Sequence, residues 1–73
     1  MFATLDKSNL YRKQGFRPYR MVLDKNWDLW ELISFPFPAN DDEGITTHIK
    51  VRKTGRPDTM IEVNIENLKL IKI

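Results

Sequence analysis

Apolar and polar residues alternate in two stretches of the chain, residues 45–53 and residues 60–65. Strict alternation predicts β-strands that bury one face. Gly55 and Pro57 lie between the two stretches and are typical of a turn. The pattern therefore predicts an antiparallel hairpin over residues 45–65.

In one register of this hairpin, apolar residues lie opposite each other on one face and polar residues on the other. It pairs the following residues: Val51 with Ile61, Ile49 with Val63, Thr47 with Ile65, Lys50 with Glu62, His48 with Asn64, and Lys53 with Thr59. A slip of one residue would expose the whole apolar face, so the register is strongly specified. We expect Ile49, Val51, Ile61 and Val63 to be largely buried, with Lys50 and Glu62 exposed.

A second hairpin is predicted around a short polar turn at residues 24–26, and the strand after the turn carries both tryptophans. It has two candidate registers, which place either Asp24 or Leu23 opposite Trp27. We favour the first, because it pairs Arg20 with Glu31, an opposite-charge pair. We then expect Trp30 to be a core residue and Trp27 the more exposed of the two.

The remaining elements are shorter. Residues 2–5 suit a first strand, and residues 8–14 suit one helical turn with Ser8 as its N-cap and Gly15 after its end, or an irregular loop. Residues 39–44 are polar and acidic and predict a loop. Residues 66–68 predict a tight turn of the 3₁₀ type, and residues 69–73 predict a last strand.

These elements predict an all-β fold for a single small domain over residues 1–73, a small barrel of five to six strands with one short helical turn near residues 8–14. The order of hairpins, tight turn and terminal strand resembles that of small SH3-like barrels. A partly open, OB-like barrel and an α+β sheet with one short helix are the alternatives. The resemblance concerns architecture alone and implies no site.

Composition excludes several classes of protein and site. The chain has 73 residues and no cysteine, so disulfides and thiolate metal sites are excluded. It has no long apolar run and no signal-like start, so we expect a cytoplasmic protein that does not enter membranes.

Candidate chemistry is sparse. His48 is the one histidine and reads as a solvated strand residue, and the acidic run at residues 41–43 lacks the spacing of a calcium loop. No nucleophile motif or phosphate loop is present. We expect a non-catalytic binding protein with no cofactor and no metal; composition sets neither its oligomeric state nor a preference for DNA or RNA.

The distribution of charge favours nucleic acid as the ligand. The net charge is only +2, but basic residues cluster where acids are absent, between Asp6 and Asp24 and between Glu43 and Asp58. Aromatic residues interleave with the first cluster, a mixture that suits stacking on bases and pairing with phosphates. The predicted nucleic-acid-binding residues are Lys50, Arg52, Lys53, Arg56, Arg17 and Arg20.

A protein partner is the alternative ligand. One short segment contains four large aromatic residues, Trp27, Trp30, Phe35 and Phe37. An exposed Trp27 beside Phe37 would form a protein-binding patch, of the kind that regulators, inhibitors and assembly subunits use. Both tryptophans could instead cover the open ends of a small barrel.

Overall fold

The computed structural model describes residues 7–42 and 44–71. The chain is mostly β, with one short helix and six strands in a single antiparallel sheet. The elements are α1 (Ser8–Gln14), β1 (Met21–Leu23), β2 (Leu29–Leu32), β3 (Phe37–Asp41), β4 (Gly44–Lys53), β5 (Arg56–Asn64), a 3₁₀ turn (Ile65–Asn67) and β6 (Lys69–Leu70). The strand predicted over residues 2–5 lies outside the described residues.

Strand β4 pairs with three other strands of the sheet. Its first half pairs with β3 and its second half with β2, while β5 lies along its other edge. Strand β1 joins β2 to β6. In the described residues β5 and β6 do not pair, so the sheet is not closed into a barrel. The predictions of a mostly β fold and of five to six strands are confirmed, and that of a closed barrel is not.

The register of the long hairpin is confirmed over its regular part, where β4 pairs with β5 from His48 opposite Asn64 to Arg52 opposite Met60. The predicted pairing of Lys53 with Thr59 is wrong, because Lys53 lies opposite Arg56. The turn is shorter than expected, and Gly55 there takes a φ of 83°, which glycine adopts without strain. The residues left over on β5 form an irregularity of the bulge type.

Burial along this hairpin follows the prediction on β4 but not on β5. Ile49 and Val51 are fully buried and Val63 is partly buried, yet Ile61 is 43% exposed. Ile61 faces the same side of the sheet as its partner Val51. It belongs to an edge strand and is not among the residues that pack against the core.

Both registers expected for the β1–β2 hairpin are wrong. Val22 lies opposite Trp30 and Leu23 opposite Leu29, which leaves a five-residue turn at residues 24–28. The Asp24 side chain sets this length, since its carboxylate accepts hydrogen bonds from two amides of the turn and from the Trp30 indole. The expected pairing of Arg20 with Glu31 is therefore absent.

Residues 39–44, predicted as a loop, lie mainly in a strand. Strand β3 pairs with β4 from Phe37 opposite His48 to Asp41 opposite Gly44. Pro38 is tolerated within it because β3 lies at the edge of the sheet, where one side of the strand needs no backbone donor. Asp42, which follows the strand, lies in a turn.

Helix α1 ends in the manner that the sequence predicts. Gly15 adopts a φ of 114°, and the amides of Gly15 and Phe16 donate to the carbonyls of Arg12 and Tyr11, as in a Schellman motif. The Phe16 and Tyr11 rings meet edge to face at 5.3 Å. The expected N-cap is displaced by one residue, since Lys7 precedes the helix and Ser8 is its first residue.

The core lies between the sheet and the helix–turn segments. Its buried members are Phe16, Val22, Leu32, Ile49, Val51 and Ile65, with Trp30, Tyr11, Val63, Leu68 and Leu70 packed around them. Trp30 thus joins the core, as expected. No helix in residues 7–42 or 44–71 has the length and apolarity needed to span a membrane.

Candidate functional site

The hairpin cations are largely engaged within the fold. Arg52 forms an ion pair with Glu31, its partner across β2 and β4. The Lys53 ammonium lies 3.3 Å from an Asp28 carboxylate oxygen and 4.7 Å from the centre of the Trp30 ring. Of the four hairpin residues predicted to bind nucleic acid, only Lys50 and Arg56 remain exposed and without an ion pair among the described residues.

Arg17 and Arg20 are brought together by a tight turn. The Arg20 amide donates to the Arg17 carbonyl at 3.3 Å, with Pro18 second in the turn and Tyr19 third. Tyr19 has a φ of 73°. Proline in the second position and a positive φ in the third are the features of a type II turn, in which the third residue is normally glycine or asparagine.

Tyr19 is held in this strained conformation with its side chain in solvent. It is 83% exposed. Its amide donates to the Leu32 carbonyl at 2.9 Å, and the Leu32 amide donates to the Arg20 carbonyl at 2.8 Å, so the turn is fixed to β2 on both sides. A bulky residue at positive φ is sterically unfavourable, and such strain is found chiefly at functional sites.

The helix that precedes this turn carries further cations. Lys7, Arg12 and Lys13 lie on or next to α1 and are exposed, and the Arg12 guanidinium lies 4.3 Å from the centre of the Phe35 ring. A methyl group on Gly15 would lie 3.3 Å from an Arg20 guanidinium nitrogen, which places Arg20 at the end of the helix. We call this region the basic surface; its residues are Lys7, Arg12, Lys13, Arg17, Tyr19, Arg20 and Phe35.

None of the five cations of the basic surface forms an ion pair with a carboxylate of the described chain. The sequence analysis predicted Arg17 and Arg20 as binding residues, but it did not predict the turn between them. The dipeptide Pro18-Tyr19 gave only a weak signal, because proline fixes the second position of such a turn and tyrosine is unexpected in the third.

A groove of about 650 Å³ lies between the helix segment and the segment that runs from the 3₁₀ turn into β6. Its lining is mainly apolar, and Glu66 is its acidic member. Burial and the nearby Glu66 carboxylate raise the pKa of Tyr11, which lines the groove. Lys69 also lines the groove, so its two charged side chains carry no net charge.

Trp27 and Phe37, predicted to share a patch, lie apart. Trp27 is in the β1–β2 turn, next to the end of β4 where Lys53 contacts Asp28. Phe37 is half-buried on β3, opposite His48. Lys53 lies five positions along β4 from His48, about 17 Å in an extended strand. The patch therefore does not form as proposed, although Trp27 itself is 74% exposed.

His48 is not the solvated residue that the sequence indicated. It is half-buried, and its Nδ1–H donates to Glu62 Oε2 at 2.9 Å. Its Nε2 lies 3.7 Å from Asp41 Oδ2 and has no hydrogen-bond partner in the described chain. The imidazole thus links β3, β4 and β5. In residues 7–42 and 44–71, no three histidine or acidic side chains are placed to share a metal ion.

No protein-family model matches the chain, and neither the curated proteins nor the solved structures compared with it give a match.

Proposed function

We propose that the protein is a non-catalytic domain that binds single-stranded nucleic acid through the basic surface. The observation that carries the proposal is the Arg17–Arg20 turn, which displays a strained and exposed tyrosine between two arginines. Aromatic rings that stack on bases and cations that follow the phosphates are the two components of single-strand recognition.

The distribution of charge supports placing the nucleic-acid-binding site on the basic surface. The cations of the basic surface lack carboxylate partners in the described chain, whereas Arg52 and Lys53 on the hairpin are paired with acids. Cations that are already paired must break those contacts before they can bind phosphate, so they add less affinity. The expected interface therefore shifts from the hairpin to the helix side, with Arg17 and Arg20 retained from the sequence prediction.

The arrangement of strands supports the finer classification as an open, SH3-like sheet. Strands β1, β2, β4 and β5 follow one another as a meander, and a 3₁₀ turn then leads to β6, which returns to pair with β1. Small β-folds of this kind present exposed faces and loops for nucleic acid. This likeness is one of architecture, and the site itself carries the functional argument.

The Tyr19→Gly variant tests the proposal directly. Glycine adopts a positive φ without strain, so we expect the free energy of unfolding to stay the same or rise by up to about 1 kcal/mol. Loss of the stacking ring should weaken binding about ten-fold or more. The measurement is fluorescence anisotropy with a labelled, mixed-sequence single-stranded oligonucleotide, beside urea unfolding of both proteins.

Tyr19→Phe is the matched control. It keeps the ring and removes only the hydroxyl, so its affinity should stay close to that of the wild type. If the glycine variant binds the oligonucleotide as tightly as the wild type does, Tyr19 is not a stacking residue and the proposed interface loses its main support.

A further inference from the structure

A cleft of about 350 Å³, which we call the Tyr19 cleft, adjoins the Arg17–Arg20 turn. Its lining residues are Tyr19, Arg20, Met21, Leu29 and Ile71. It lies on the face of the sheet away from the core, because its strand residues alternate with Val22 and Trp30, which are buried in the core or pack against it. Tyr19 therefore belongs both to the basic surface and to this cleft.

One charged residue lines the Tyr19 cleft in the described chain, and it belongs to the basic surface. This residue is Arg20, whose guanidinium lies beside Gly15 at the end of α1. Glu31 lies opposite Met21 on the neighbouring strand, but it pairs with Arg52 and so adds no net charge. A strand of nucleic acid can thus place its phosphates along the basic surface and a base in the cleft.

Apolar contact, rather than hydrogen bonding, would select the base that enters the Tyr19 cleft. Four backbone groups at its wall are already bonded within the fold, namely the amides of Tyr19 and Arg20 and the carbonyls of Arg20 and Met21. The three apolar side chains of the lining offer no strong donor or acceptor. Thymine suits such a lining, because its C5-methyl group is the apolar feature by which proteins recognise it.

We infer that the Tyr19 cleft receives one thymine base of single-stranded DNA, stacked on the Tyr19 ring with its methyl group against the apolar lining, Leu29 included. The inference rests on the proposed function and adds the class of nucleic acid to it. The volume is near the lower end of the range of about 300–1,000 Å³ for small-ligand sites, which suits a single base. Uracil lacks the methyl group, so the cleft favours DNA over RNA.

Oligothymidylate and oligodeoxyuridylate of the same length test the inference, because the two strands differ only in the methyl groups. Fluorescence anisotropy measures the affinity of the full-length domain for each. We expect the wild type to bind the thymine strand about four-fold more tightly, the effect of burying one methyl group. In Leu29→Ala the methyl group loses apolar contact, so the preference should fall below about two-fold. Leu29 is 37% exposed, and urea unfolding verifies that the variant folds.

Leu23→Ala is the matched control, since Leu23 lies opposite Leu29 on the same face of the sheet but does not line the cleft. Its preference for thymine should equal that of the wild type. The inference is overturned, and the proposed function stands, if the wild type binds both strands equally and Tyr19→Gly weakens both. It is also overturned if Leu29→Ala keeps the full preference. If the wild type binds neither strand, the proposed function fails together with the inference.

Discussion

Replacing Ile49 by alanine is expected to cost about 2–5 kcal/mol of unfolding free energy. Ile49 is fully buried at the centre of β4 and belongs to the core. A domain of this size has a total stability of only about 4–11 kcal/mol at typical values per residue. The variant should therefore unfold at a much lower urea concentration than the wild type, or populate the unfolded state without denaturant.

Ile61→Ala is the matched control, because it removes the same atoms from the neighbouring strand on the same face of the sheet. Ile61 is 43% exposed, so its truncation should cost less than about 1 kcal/mol. Urea unfolding followed by tryptophan fluorescence measures both variants. Equal losses from the two would show that the distal part of β5 is buried, contrary to the structure.

The second large effect is expected from reversing two charges of the basic surface. In the double variant Lys13→Glu, Arg17→Glu, both substituted residues are exposed and neither forms an ion pair in the described chain, so the fold should be unaffected. Each phosphate contact contributes roughly five-fold or more to affinity at low salt, and two should together contribute about 30-fold. Fluorescence anisotropy with the single-stranded oligonucleotide measures the change.

The control for this variant is Lys25→Glu, Arg56→Glu, which changes the net charge by the same amount at residues outside the basic surface. Both are exposed, Lys25 in the β1–β2 turn and Arg56 at the start of β5. We expect it to lower affinity by no more than a few-fold, through long-range electrostatics alone. If the two double variants lose affinity equally, net charge drives association and the basic surface is not a located site.

The sequence predicted the long hairpin well because two alternating strands fit each other in only one register. Ile49 opposite Val63 satisfies the apolar face, and Lys50 opposite Glu62 satisfies the polar face. The burial of Ile61 could not be predicted in the same way. Alternation tells which face a side chain lies on, but not whether another element covers that part of the face.

The β1–β2 register failed for a different reason. The length of the turn depends on the Asp24 carboxylate, which accepts hydrogen bonds from two amides of the turn and from the Trp30 indole. Matching charges across the strands indicated an Arg20–Glu31 pair and so favoured a shorter turn. Hydrogen bonds from a side chain to its own turn do not appear in a pattern of apolar and polar residues.

The candidate site was predicted only in part, because ion pairing is a tertiary property. The absence of acids on either side of Arg17 and Arg20 was visible in the sequence, and neither residue forms an ion pair within the described part of the chain. The absence of acids near Arg52 in the sequence was misleading, since β2 brings Glu31 to it from a distant part of the chain. The strain at Tyr19 is a backbone property that only the structure reveals.

The salt dependence of oligonucleotide binding by the wild-type domain tests the central claim most directly. Affinity for a mixed-sequence single strand would be measured between about 50 and 200 mM salt. If three to five cations of the basic surface contact phosphates, the logarithm of affinity should fall against the logarithm of salt with a slope of about −2 to −3.5. A slope near zero, or no binding at the lowest salt, would contradict nucleic-acid binding by this surface.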